Sequence, residues 1–379
     1  MLSSFEQIKV PKTLDVESVE RQIAALWVKT AGVSAQQEGA VMRARVANLM
    51  IFTRIAAKLE EINATLMELS AAHPCRALVV ASEREGVERD IEIYISSGCH
   101  SGVATGTKSV FCEAITLVAG GKFVEELPSA TLPLLIPDLP VFLWWTESLS
   151  SPDSLFPKLC RGADRLIIDS VDFVPAIMDS VAQLASNRDH GTLGISDINW
   201  ARLTSWRALL ASFYDVPQYR LALEQLSEVQ IDYVAAESGR GEIVSQALLM
   251  AGWLASRLKW ELILDSRETN EKGLRIKLNK KGHQIDLKLS SVESSAMRPG
   301  RLARVEFKSD SEGATLSVAR SASGLHIESY ANIRAQIQPC QLLPVRNRST
   351  AQLLGREMEI LTNDDIYAEA LELGAAMLK

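Results

Sequence analysis

The sequence predicts an α/β N-terminal domain with a mixed sheet, followed by an α+β C-terminal domain with an antiparallel sheet. Up to about residue 190, short apolar strand patterns alternate with helical patterns, which is typical of an α/β layer structure. From Gly273 to Ile337, short alternating strands follow one another with turn residues between them, which favours an antiparallel sheet. The 379 residues suffice for two domains, and we place them at residues 1–195 and 196–379.

The N-terminal half begins with helical patterns and continues with strands. Apolar residues at helical spacing predict helices over about residues 12–30 and 40–70. The strand candidates that follow are "RALVVAS", "DIEIYIS", "SVFCEAITLV", "VFLWW" and "DRLIIDS". Further helices are predicted near residues 152–159 and 173–185. This alternation predicts the mixed sheet of the first domain.

The segment "LPLLIPDLPVFLWW" (132–145) cannot form a regular helix, because its three prolines lack amide donors and restrict the residues before them. Its end is a short apolar run suited to a buried strand. Trp144 and Trp145 would point to opposite faces of that strand. Either both rings are part of the core, or one of them, with the nearby Asp138, contacts a partner.

Helices dominate the start of the second domain. "DINWARLTSWRALLASFY" (197–214) predicts an amphipathic helix with Trp206 packed inside and Arg202 facing outward. "GEIVSQALLMAGWLASRLKW" (241–260) is apolar around most of its circumference and predicts a helix that is buried on nearly all sides. Two more helices are expected between about residues 348 and 378.

Charge and composition exclude some classes of function. The formal net charge is −7, which argues against general binding to nucleic acids or anionic membranes, since both need a basic surface. The N-terminus lacks the apolar core of a signal peptide, and no segment has the run of about 18 apolar residues of a membrane span. We therefore expect a cytoplasmic protein. Its five cysteines show no metal-like spacing and are expected to be reduced.

Two segments are candidates for an anion site. "SGCHSGVATGTKS" (97–109) places Lys108 after glycines, but Thr107 occupies the position where a P-loop requires glycine. The segment is therefore either a hairpin loop or a phosphate site. In "HPCR" (73–76), His73 and Arg76 could meet an anionic ligand; alternatively, His73 caps the preceding helix, which the proline ends.

No complete catalytic motif is present. There is no GxSxG or HExxH sequence, and "SGRGEIV" (238–244) lacks the third glycine of a dinucleotide fingerprint. The sequence therefore predicts neither an enzyme nor a bound cofactor or metal.

Several blocks together resemble the glucose-6-phosphate dehydrogenase assembly protein family, OpcA. They are "HPCRALVV", "TLPLLIPDLPVFLWW", "ADRLIIDS", "DINWARLTSWRALLASFYD" and "LLMAGWLASRLKW", they occur in the family's order, and the resemblance spans roughly residues 45–265. It implies a non-catalytic subunit that binds glucose-6-phosphate dehydrogenase and promotes its active oligomeric form in the oxidative pentose phosphate pathway. Family members with redox control use cysteines near the C-terminus, where this chain has Cys340 alone.

Such a subunit needs a contact surface, and the sequence offers a basic strand region as one candidate. Residues 267–308 contain eleven Lys or Arg against five acids. The region is either a solvated sheet face or a surface that faces an acidic patch of the dehydrogenase. The residues proposed to contact the partner are Trp144, Trp145, Asp138, Arg202, Lys277, Lys280, Lys281 and Lys288.

The alternative function is a sugar-phosphate- or nucleotide-binding enzyme or sensor that uses the 97–109 loop. A stable complex with the dehydrogenase would favour the assembly subunit. Binding of a sugar phosphate through this loop by the isolated chain would favour the alternative.

Overall fold

The structure is a computed structural model. The residues it describes are 6–10, 16–35, 45–54, 58–83, 88–102, 107–149, 154–173, 175–186, 193–235, 242–295, 297–345, 348–360 and 362–379.

Within these residues, the first sheet has eight strands. In chain order they are β1 (Glu6–Val10), β2 (Ala47–Thr53), β3 (Cys75–Glu83), β4 (Arg89–Gly102), β5 (Thr107–Gly120), β6 (Val141–Trp145), β7 (Arg165–Ile168) and β8 (Gly194–Asp197). They lie side by side in the order β1-β4-β5-β3-β2-β6-β7-β8. The β1/β4 and β4/β5 pairs are antiparallel and the other pairs are parallel, so the sheet is mixed, as the sequence predicts.

The parallel part of this sheet is doubly wound. Without β1 and β4, the order across the sheet is β5-β3-β2-β6-β7-β8. If these six strands are numbered in chain order, from β2 as 1 to β8 as 6, the order reads 3-2-1-4-5-6, which is that of a dinucleotide-binding fold. The chain changes direction across the sheet between β2 and β6. In open α/β sheets, ligands bind in the crevice beyond the carboxyl ends of the strands at this point.

The predicted helix over residues 40–70 is wrong in its first half. The structure has strand β2 there, and a helix only over Leu59–Ser70. All seven residues of β2 are buried, because the strand lies inside the sheet and is covered on both faces. A strand of this kind is a continuous apolar run without alternation, so periodicity alone does not distinguish it from a buried helix.

The second sheet also has eight strands within the described residues. They are β9 (Glu228–Val234), β10 (Glu261–Asn270), β11 (Gly273–Lys280), β12 (His283–Val292), β13 (Leu302–Ser309), β14 (Ala314–Arg320), β15 (His326–Ile333) and β16 (Gln336–Pro344). Their order across the sheet is β10-β11-β12-β9-β13-β14-β15-β16.

The prediction of an antiparallel second sheet is only partly correct. Each pair is antiparallel except β9 with β12, which is parallel. The chain leaves β9, passes through a helix and two further strands, and returns in β12 beside β9 in the same direction. A connection that includes a helix permits this parallel pairing, whereas a tight turn does not.

The helices are α1 (Val16–Ala35), α2 (Leu59–Ser70), α3 (Leu127–Thr131), α4 (Leu155–Cys160), α5 (Pro175–Ser186), α6 (Ile198–Arg202), α7 (Thr204–Ser212), α8 (Arg220–Glu224), α9 (Ser245–Leu258), α10 (Thr350–Met358) and α11 (Asp365–Ala376). Ten of the fourteen residues of α9 are buried, which agrees with the prediction of a helix enclosed on nearly all sides. Its neighbours include α11, β9 and α6.

The last two helices return to the first half of the chain. Helix α10 packs on α2 and α6, and α11 packs on α5 and α9. Leu353 and Leu354 of α10 belong to the same buried cluster as Leu49 and Ile51 of β2. The division at residue 195 stays a prediction, and helices beyond it contribute to the core beside the first sheet.

In the described part of the chain, no helix combines the length and apolarity needed to cross a membrane.

Candidate functional site

The crevice of the first sheet holds the carboxylate of Glu147. Its Oε1 accepts hydrogen bonds from the Arg54 backbone N–H (3.1 Å), the Thr53 hydroxyl (3.2 Å) and the Lys58 ammonium (3.1 Å). Burial alone would raise the pKa of Glu147, but the hydrogen bonds from Arg54 and Lys58 outweigh it, so the pKa lies below its usual value. Glu147 is therefore a charged, fixed anion at the end of β2.

The sequence after β2 lacks the glycines that a dinucleotide requires. "TRIAAKL" (53–59) contains none, whereas the fingerprint needs three so that the backbone can approach the pyrophosphate closely. In such folds the pyrophosphate lies at the helix that follows the first strand. Here the amide of Arg54 at this turn already donates to the Glu147 carboxylate.

Both tryptophans of "VFLWW" are buried. Trp144 is 8% exposed and Trp145 is 2% exposed, and they lie in different core clusters, as the opposite-face prediction requires. The ring of Trp145 stacks on Phe52, with 4.0 Å between ring centroids, and meets Phe156 edge-on. Their role is in the core, so neither ring is accessible to a partner in this structure.

The proline-rich loop before β6 is organised by a residue that the sequence did not single out. Buried Asn48 of β2 donates from Nδ2 to the Ile136 carbonyl (3.0 Å) and accepts at Oδ1 from the Ile136 N–H (2.9 Å). Asp138 at the tip of the loop is exposed and has a positive φ of 64°. Asp138 is therefore accessible to a partner, and its partner-binding role stays a prediction.

His73 and Arg76 do not form a shared anion site. Arg76 is buried and paired with two carboxylates, Glu113 at 2.7 Å and Glu20 at 2.5 Å. Burial opposes its charge, but these carboxylates raise the pKa of Arg76 above its usual value. His73 packs against Gly355 of α10, with its Nε2 3.8 Å from Glu359. The Arg76 charge is thus already neutralised inside the protein.

The 97–109 loop is described only in part. Its flanks belong to strands β4 and β5, residues 103–106 lie outside the described residues, and so does the side chain of Lys108. The anion-contact prediction for Lys108 therefore stays a prediction. The backbone of Cys340 lies in β16, but its side chain is also outside the described residues.

The predicted basic face of the second sheet carries interspersed carboxylates. Lys308 contacts Glu228 at 2.7 Å, and Lys288 contacts the same carboxylate. Arg275 lies 2.7 Å from Asp286. The other charged pairs on this face, among the described residues, are Arg304 with Asp232 and Glu306, and Lys308 with Glu306.

The basic excess of residues 267–308 is partly offset in the fold, because β9 inserts Glu228 and Asp232 between β12 and β13. Of the four lysines that the sequence singles out, Lys288 is engaged with Glu228. Lys277 and Lys281 are exposed and Lys280 is half-buried.

An arginine-lined cavity of about 410 Å³ lies at the junction of α6, α7, α9, β14 and α10. Five arginines line it, and we call them the arginine cluster: Arg202, Arg298, Arg301, Arg320 and Arg348. Arg202, which the sequence predicts to face outward, instead lines this cavity. Arg202 is half-buried and donates two hydrogen bonds to the Asp169 carboxylate, at 2.6 and 2.7 Å.

A buried polar network supports one wall of the cavity. Gln246 lines the cavity and accepts at Oε1 from the Leu302 N–H (3.0 Å), beside Arg301. Its Nε2 donates to Asn199 (2.8 Å), whose Nδ2 donates to Ser245 (2.9 Å). These bonds fix the start of β13 to helices α6 and α9.

Sequence reasoning missed four of the five members of the arginine cluster. Arg298 and Arg301 lie before β13, Arg320 ends β14, and Arg348 precedes α10, so no local spacing connects them. Only the packing of α10 against the earlier helices brings Arg348 near Arg202. The described residues contain no group of three or more His, Cys, Asp or Glu that could hold a metal ion.

Two family models match most of the chain. Residues 67–186 match the N-terminal domain of a glucose-6-phosphate dehydrogenase subunit, and residues 193–371 match the C-terminal domain of such a subunit.

The curated relatives include proteins provisionally named OxPP cycle protein OpcA. The protein of Synechocystis sp. is 27% identical over 82% of this chain and 65% of its own length. That of Nostoc punctiforme is 27% identical over 82% of this chain and 67% of its length. The chain thus spans about two thirds of the length of these relatives. A solved structure of a 3-ketoreductase from Actinomadura kijaniata covers 87% of this chain and 95% of its own, with 11% identity and a TM-score of 0.47; this similarity is too low to bear on activity.

Proposed function

The chain belongs to the OpcA family of glucose-6-phosphate dehydrogenase subunits, and on this premise we propose that it is a non-catalytic subunit of that enzyme. It binds glucose-6-phosphate dehydrogenase in the oxidative pentose phosphate pathway and favours the enzyme's active oligomeric form. A subunit of this kind acts by binding one state of the enzyme more tightly than another.

The carboxylate of Glu147 is the observation that best supports a non-catalytic role. A dehydrogenase with this strand order would hold its cofactor's pyrophosphate at the turn after β2. In this chain that turn has no glycine, and its Arg54 amide and Lys58 ammonium are bound to Glu147. A pyrophosphate placed there would meet a fixed negative charge and would have to displace it.

The open face of the second sheet is the surface that we propose for the enzyme. Lys277 is exposed on this face, and Lys281 is exposed in the turn between β11 and β12 at its end. The edge strand β16 carries exposed Ile337 and Leu342, and apolar side chains exposed on an edge strand favour contact with another protein. Electrostatic attraction between the lysines and an acidic enzyme surface would speed association.

The test is the association rate between the chain and glucose-6-phosphate dehydrogenase from the same organism. In the Lys277→Glu/Lys281→Glu variant we expect the association rate to fall and its salt dependence to weaken, because two attractive charges become repulsive. The matched control is Arg161→Glu/Arg220→Glu, which makes the same change of charge at exposed residues elsewhere. We expect it to associate at a rate closer to the parent's.

Two outcomes would count against this proposal in different ways. If both variants associate with the enzyme at equal rates, the sheet face is not the docking surface. Other exposed residues, such as Asp138, then become the candidates. No association of the parent chain at any ionic strength would contradict the subunit role itself.

A further inference from the structure

The arginine cluster concentrates positive charge in a small volume. Five guanidinium groups line a cavity of about 410 Å³, and the described residues that line it include no aspartate or glutamate. Asp169 approaches from outside the lining and pairs with Arg202. Like charges held this close repel one another, and the repulsion grows as water is excluded. The cavity is therefore electrostatically suited to an anion.

Arg301 shows this imbalance most clearly. Burial, together with the charges of Arg202, Arg320 and Arg298, lowers the pKa of Arg301 to about 10 against the attraction of Asp169. Burial also lowers the pKa of Arg320. Both carboxylate oxygens of Asp169 already accept hydrogen bonds from Arg202. The positive charge of Arg301 is therefore balanced by little negative charge from the protein.

The cavity wall offers further hydrogen-bond donors to a ligand. The Nε of Arg320 is buried and has no hydrogen-bond partner among the described residues. Helix α10 begins at Thr350, and both Ser349 and Thr350 line the cavity. The amides and the dipole at a helix N-terminus favour a negative charge. Ser349 itself caps the helix by accepting from Gln352 (3.2 Å) and donates to Glu68 (2.6 Å).

We propose that this cavity binds a small phosphate ester, with the guanidinium groups of Arg301 and Arg320 holding the phosphate. The planar guanidinium group matches the geometry of a phosphate, and two of its N–H groups donate to two phosphate oxygens at once. The cavity volume lies in the range of small-molecule sites, which is roughly 300 to 1,000 Å³. The hydroxyl of Ser205 and the ring of Trp206 remain for the rest of the ligand. The described lining of the cavity includes no residue of the 97–109 loop, and the inference does not depend on the proposed enzyme partner.

The experiment measures ligand binding by calorimetry on the isolated full chain at constant ionic strength. The probes are glucose 6-phosphate, inorganic phosphate and glucose. We expect the two phosphate compounds to bind and glucose not to bind. In Arg301→Gln/Arg320→Gln we expect the affinity for glucose 6-phosphate to fall at least about tenfold, because two charged hydrogen bonds are lost. The control, Arg161→Gln/Arg220→Gln, alters exposed arginines outside the cavity and should bind like the parent.

Thermal unfolding separates loss of the site from loss of the fold. Without ligand, Arg301→Gln/Arg320→Gln should unfold at the parent's temperature or above it, because mutual repulsion is relieved. Glucose 6-phosphate should raise the unfolding temperature of the parent and not that of this variant. The proposal is overturned if glucose 6-phosphate does not bind at millimolar concentration, if glucose binds as well, or if both double variants bind as the parent does.

Discussion

Replacing Gly252 by alanine is expected to destabilise the protein by about 3 kcal/mol, because the added methyl group has no room at the crossing of α9 and α11. A Cβ at this position would lie 1.9 Å from the Ala370 carbonyl oxygen and 2.7 Å from the Gly374 nitrogen. Both are backbone atoms, so the two helices would have to separate. Helix propensity alone predicts the opposite sign, since alanine within a helix is favoured over glycine by about 1 kcal/mol.

Chemical denaturation of the variant and the parent measures this effect. Ala211→Gly, at an exposed position of α7, is the control, because it reports the propensity difference where nothing is packed closely. It should cost about 1 kcal/mol. A Gly252→Ala protein as stable as the parent, or more stable, would show that the two helices do not approach each other as closely as the structure indicates.

The stability of the protein is expected to fall as the pH rises from about 4.5 to about 7, with Glu357 as a main cause. Burial raises the pKa of Glu357 to about 7, helped by the charges of Asp197 and Asp364. A carboxyl group with a raised pKa holds its proton in the folded state after the unfolded chain has lost it, so stability decreases through this interval. Replacing Glu357 by glutamine should stabilise the protein at pH 8 by about 2 to 3 kcal/mol and change little at pH 4.5.

Unfolding free energies of the parent and of Glu357→Gln, measured at several pH values, test this expectation. Some pH dependence should remain in the variant, because burial also raises the pKa of Asp197 to about 6. Glu372→Gln, at an exposed position on the neighbouring helix α11, should keep the parent's full dependence. Identical pH profiles for the parent and Glu357→Gln would contradict the assignment.

The elements that follow from local pattern were predictable from the sequence. Alternation in β11 and β12 places Leu274, Ile276 and Leu287 inside, and a fully apolar sequence predicts the enclosed helix α9. Strand β2 was not recognisable, because burial on both faces removes the period that distinguishes strand from helix. The parallel pairing of β9 with β12 depends on a long connection, which leaves no signal in either strand.

The candidate sites depended on contacts that sequence spacing does not record. Trp144 and Trp145 have the composition of interface residues, but the sheet encloses them. Arg76 has the charge for an anion site, but it is paired with acids 56 and 37 positions away along the chain. The arginine cluster is assembled from segments about 150 residues apart. Of its members, the sequence singles out only Arg202, as a residue that contacts a partner.

The most direct test of the subunit role is the rate of NADP reduction by glucose-6-phosphate dehydrogenase, measured against glucose 6-phosphate concentration with and without a saturating amount of this chain. The chain alone should give no NADPH. When it is added to the enzyme, the half-maximal rate should occur at a lower substrate concentration, because binding favours the active oligomer. Superimposable curves with and without the chain would contradict the account.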